Sequence, residues 1–79
     1  MAERDLLEEI SEAGRNGEKR VVWSVAGILA PDSETIGVWV KGALLARSLG
    51  VELTMADASP DLRELLMIAG VGGIFQVEG

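Results

Sequence analysis

The chain has 79 residues, 48% of them hydrophobic, with 13 acidic against 7 basic residues and a formal net charge of −6. That length holds one small domain (residues 1–79), with apolar material enough for a core but no room for a catalytic domain beside a regulatory one. The acidic balance disfavours nucleic acid and anionic membrane surfaces, and the lack of Cys, His and Tyr excludes disulfides, Cys/His zinc sites, Cys nucleophiles and Ser-His dyads.

The first residues, Met-Ala-Glu-Arg-Asp, alternate in charge and lead into no apolar h-region, so they do not form a signal peptide. Residues 3–14 have helical periodicity through Leu6, Leu7, Ile10 and Ala13, and Gly14, Asn16 and Gly17 end the helix. From Val21 to Ile28 the chain is a nearly continuous apolar run, Val21, Val22, Trp23 and Val25. Such a run predicts a parallel strand buried on both faces. The runs 21–29 and 65–71 are too short to span a bilayer. Pro31 turns Ala30 away from helix, so residues 29–33 form a loop.

A second helix is predicted over about 34–48, with Ile36, Trp39, Val40, Ala43, Leu44 and Ala46 as its apolar stripe and Gly50 behind its C-terminus. Residues 51–56 alternate, Val51, Leu53 and Met55 against Glu52 and Thr54. That pattern predicts a strand with one face less deeply buried than the first. Ser59-Pro60-Asp61 combines an N-cap, a first-turn proline and an acid suited to the helix dipole. A third helix therefore follows, burying Leu62, Leu65, Leu66 and Ile68 or Ala69. Gly70, Gly72 and Gly73 then loosen the chain before a short strand at 74–77. The fold class is α/β, a small mostly parallel sheet flanked by helices in the order α-β-α-β-α-β.

Residues 21–77 resemble a STAS domain of the anti-sigma factor antagonist type. The resemblance lies in an apolar strand at Val21 leading to Asp32-Ser33 and Gly37, then a helix through Leu44–Arg47, Gly50 and the strand 51–56. Ser59-Pro60, Leu66, Gly70 and Ile74-Phe75 complete it. No single piece is specific; their order and spacing are. Glu34 and Thr35 depart from the family's small residue and glycine. The two strands that usually precede the family's first helix are missing, which implies a shortened chain, a naturally short form, or a sheet edge completed by a partner.

The resemblance implies a bacterial cytoplasmic signalling domain in transcription regulation, with no catalysis and no cofactor of its own. It would bind a kinase-type anti-sigma factor through the 30–37 loop and the helix behind it. It makes Ser33 the phosphorylation site, and Asp32, Ser33, Glu34, Gly37 and Trp39 the partner-binding residues. A second reading is an accessory subunit of a phospholipid-type ABC transporter, binding its ATPase subunit, or a homodimeric assembly. A nucleotide-binding or enzymatic role ranks last.

Each site residue also has a plainer reading. Ser33 or Asp32 can simply cap the second helix, and Glu34 can be a first-turn acid instead of a phosphate mimic. Trp39 anchors a partner only if exposed, and the core is the alternative; Trp23 reads as core or semi-buried. Asp32, Glu34, Asp57 and Asp61 can gather at one sheet edge and hold Mg²⁺, or be solvated loop acids. Gly70-Val71-Gly72-Gly73 is a turn: no Gly-Lys-(Ser/Thr) follows, so it is not a phosphate loop.

Overall fold

The computed structural model describes residues 3–70 and 73–79, with side-chain environments from residue 5 onward. The predicted order is observed: α1 (Glu3–Arg15), β1 (Arg20–Ser24), α2 (Ser33–Ser48), β2 (Glu52–Ala56), α3 (Pro60–Ile68) and β3 (Gln76–Val77). The Gly70–Gly73 turn lies partly outside the described residues, at Val71 and Gly72.

The three strands form one sheet in chain order, β1-β2-β3, with both pairings parallel. Strand order that follows chain order sends both crossovers the same way, and right-handed crossovers then lay their helices on the same face. Burial agrees. Val21, Val25, Leu53 and Met55 are buried and Trp23 and Val77 pack against them, whereas Ser24, Glu52 and Gln76 on the opposite face are exposed. Val22, within the apolar run, is 53% exposed. The expectation that β1 is buried on both faces is therefore corrected. Three helices in succession on one side leave no layer for the other, and the central strand β2 is the more deeply buried of the two.

The core joins Leu6 and Ile10 of α1, Trp39, Ala43 and Ala46 of α2, Leu62 and Leu66 of α3, and the strand residues Leu53 and Met55. The apolar stripes are narrower than periodicity suggests: Leu44 and Ile68 are exposed, at 54% and 76%. On α2 the α1-facing position is taken by Gly42, where a Cβ would lie 2.9 Å from Leu6 Cδ2 and 3.2 Å from Ile10 Cδ1. The two helices thus touch backbone to side chain.

Helices pass into strands through the same device twice. After α1, the amides of Gly17 and Glu18 donate to the carbonyls of Gly14 and Ala13; after α2, those of Gly50 and Val51 donate to Arg47 and Ala46. Gly17 and Gly50 have φ of 73° and 71°, the left-handed geometry of a Schellman ending. The hydrogen bonds also satisfy helix carbonyls that would otherwise lack donors.

On the uncovered face one side chain ties all three strands together. Arg20 of β1 donates through Nε to Thr54 Oγ1 of β2 at 3.2 Å, and through Nη2 to Glu78 Oε1, just past β3, also at 3.2 Å. The guanidinium lies across Thr54, which is how a polar residue on an open face is fully buried. The Arg20–Glu78 pair itself is about half exposed and contributes little through charge alone.

Candidate functional site

Parallel strands deliver their following loops to one edge of the sheet. Here that edge carries the loop from Val25 to Asp32, the turn at Asp57–Ser59, and the N-termini of α2 and α3. Two hydrogen bonds fasten the loops. Ser24 Oγ–H donates to Asp57 Oδ2 at 2.8 Å, and the Ala26 amide donates to Ser24 Oγ at 3.3 Å. Asp57 has a φ of 62°, a left-handed conformation that Asp tolerates better than bulkier residues. Sequence reasoning placed Asp57 at this edge but missed its bond to Ser24. The available signal was the parallel arrangement itself: Ser24 pairs with Ala56, so Asp57 follows immediately beyond it.

Asp32 is the N-cap of α2. Its φ and ψ of −76° and 173° are extended, and its Oδ1 accepts the Thr35 amide at 2.8 Å. Of the two candidate caps, the structure therefore assigns the role to Asp32. Ser33 is the first residue of the helix, exposed, and its hydroxyl enters no hydrogen bond among the described residues. Glu34 and Gly37 are also exposed, Glu34 in the first turn. Trp39 is fully buried among core residues. It is thus a packing residue and is removed from the partner-binding set, because a fully enclosed side chain presents no surface to a partner. Trp23 is half-buried, as one of its two readings had it.

The Asp32 carboxyl is held below its ordinary pKa of 3.8, first by the Thr35 amide and then by the Thr35 hydroxyl, both bonding the charged form. Since the folded value is the lower one, the cap's contribution is fully present above the unfolded pKa. It is lost as pH falls through the folded value, below 3.8. Asp32→Ala is expected to lower the thermal midpoint at neutral pH. Asp32→Asn keeps an acceptor for the Thr35 amide, so it should retain most of the stability while removing the acid-dependent part. Thermal unfolding followed by circular dichroism at neutral pH and below 3.8 checks this. An alanine variant as stable as the parent at neutral pH would show that the cap is idle.

Of the two readings of the loop acids, the structure fits the one without a metal cluster. Among the described residues no group of three or more acidic side chains is placed to hold a metal ion. Asp32 is engaged with Thr35 and Asp57 with Ser24, while Asp61 sits in the first turn of α3 behind its cap Ser59. The arrangement offers an exposed, helix-starting hydroxyl on a loop held by its neighbours. No helix among the described residues is long and apolar enough to cross a membrane.

No protein-family model matches the chain, and no curated protein matches it.

Proposed function

We propose that this domain is a protein-interaction switch of the anti-sigma factor antagonist kind. It presents residues 30–37 to a kinase-type partner and accepts phosphate on Ser33. The observation that carries this reading is the division of labour between Asp32 and Ser33. The aspartate holds the helix end, so the exposed serine hydroxyl is spare. Modification therefore does not dismantle the cap. A phosphate adds about −1.5 to −2 charges at neutral pH. At the first position of α2 the unpaired helix amides and the dipole tolerate it within the domain. Asp32 and Glu34 on either side deepen the negative patch, so an acidic partner surface that docks on the unmodified loop is repelled.

Incubation with purified serine kinases of the anti-sigma class and ATP, followed by mass spectrometry, tests the assignment. One phosphate on Ser33, absent in Ser33→Ala, is the expected result. The phosphorylated domain should bind its kinase at least about tenfold more weakly, a difference of about 1.4 kcal/mol. Failure of the whole class to modify the chain, or transfer to Ser59 in place of Ser33, would remove the switch.

A further inference from the structure

We propose that the outer edge of β1 is a docking site for an extended, basic segment of a partner protein, which adds as a fourth strand beneath the acidic flank of α1.

The edge follows from the ladder. The Glu52 amide donates to Lys19 O and the Val25 amide to Ala56 O. In a parallel pair these bonds belong to alternate residues, so Lys19, Val21, Trp23 and Val25 point their backbone groups at β2. Arg20, Val22 and Ser24 then point theirs outward, where no strand lies among the described residues. The edge has no proline, its pairing with β2 runs through all five residues without a bulge, and its one charged side chain, Arg20, is drawn across the open face to Thr54 and Glu78. The strand is also apolar in a way its position does not use. Val22 is 53% exposed, and the Trp23 indole N–H is buried with no acceptor among the described residues.

Charge identifies the occupant. α1 meets α2 through Leu6 and Ile10 at Gly42 and through Gly14 at Leu49. At 100° per residue the opposite flank of the helix carries Asp5, Glu8 and Glu12, with Arg15 at its C-terminal end, all exposed, so the acidic stretch lies over the Val22–Ser24 part of the edge. Because α1 packs on α2 and meets the sheet chiefly at β1, that flank overhangs the outer edge of β1. A strand docked there alternates its side chains between the α1 side and the open face. On the α1 side, Arg or Lys stems cross the half-buried Trp23 ring and place their charges at the carboxylates. On the open face, apolar or β-branched side chains lie beside Val22. A second copy fits poorly. Antiparallel pairing of two β1 edges sets the two α1 helices side by side, carboxylates against carboxylates, in a chain whose net charge is already −6.

The probe is an alternating arginine–valine peptide, with a glutamate–valine peptide as control, added to the full chain and followed by amide hydrogen exchange and chemical shifts. The expected result is slowed exchange at Val22 and Ser24, with binding that weakens as salt rises. Val22→Pro removes an outward donor and leaves the β1–β2 ladder intact. It should reduce the affinity at least about tenfold, or 1.4 kcal/mol, with the thermal midpoint little changed. Should this variant fold poorly, the exchange pattern of the parent chain decides by itself. Saturable binding without protection at Val22 and Ser24, equal binding of the glutamate peptide, or no binding overturns the proposal. So does a concentration-dependent doubling of mass, which would assign the edge to a second copy. None of these outcomes depends on Ser33.

Discussion

Trp39→Ala is expected to bring the domain to the limit of its stability. The side chain is fully enclosed, the largest such residue among the described ones, and it belongs to the core cluster that α2 shares with the sheet, α1 and α3. Truncating a buried tryptophan costs about 3–5 kcal/mol, the sum of lost transfer energy and the cavity left behind. A domain of this length holds about 4–12 kcal/mol in total, at roughly 0.05–0.15 kcal/mol per residue. The variant should therefore unfold at a much lower urea concentration or be largely unfolded without it. Urea titration followed by far-UV circular dichroism gives the answer. A loss below about 1 kcal/mol with an unchanged urea dependence would mean that the core is not organised around this residue.

The second large effect is expected at Gly42. A Cβ there meets the far ends of the Leu6 and Ile10 side chains, at 2.9 and 3.2 Å, and Leu6 Cγ at 3.3 Å. Gly42→Ala crowds flexible methyl groups, but it also gains about 1 kcal/mol of helix propensity, so the net change should be small. Gly42→Leu is different. Its extra atoms have no space unless α1 is displaced, and overpacking of this kind costs about 1–3 kcal/mol. The pair of variants separates a close helix contact from simple dislike of glycine in a helix. Chemical denaturation should show the alanine variant near the parent and the leucine variant well below it. Equal tolerance of both would mean that α1 sits loosely on α2. Leu6→Ala combined with Gly42→Leu should recover part of the loss, since the two residues share one space.

The sequence marks the ends of elements more clearly than their faces. Ser59-Pro60 opens α3 and Gly50 closes α2 as expected, because caps and left-handed glycines are local chemistry that tertiary packing rarely overrules. Faces depend on what lies opposite, and local pattern is weak there. The apolar run of β1 predicts two buried faces, yet with every helix on one side Val22 has nothing to meet. Leu44 and Ile68 fit a helical stripe by spacing but lie outside the arc that the neighbours cover. Gly42, which sets the approach of α1 to α2, has no side chain for a hydrophobic pattern to detect. At the candidate site, Asp32 and Ser33 were legible as a pair of oxygens near a helix start. Only the backbone angles at Asp32 decide which one caps. The Ser24–Asp57 bond joins residues 33 apart in sequence, and its existence follows from strand register, which periodicity does not supply.

The sheet is tied unevenly. β1 and β2 pair along five residues, whereas β3 adds only the pairs Thr54↔Gln76 and Met55↔Val77, with the amide bonds Glu78 to Met55 and Ala58 to Glu78 beyond them. Free energies of local opening scale with the contacts that must be broken. β3 with its anchor Phe75 is therefore the part of the sheet that detaches first, while β1, α2 and β2 remain folded together. Each such excursion also releases Glu78 from Arg20 and bares the far side of β2. The domain then has, for a short time, a second unsatisfied strand edge opposite the first, and a growing sheet can recruit a further chain there.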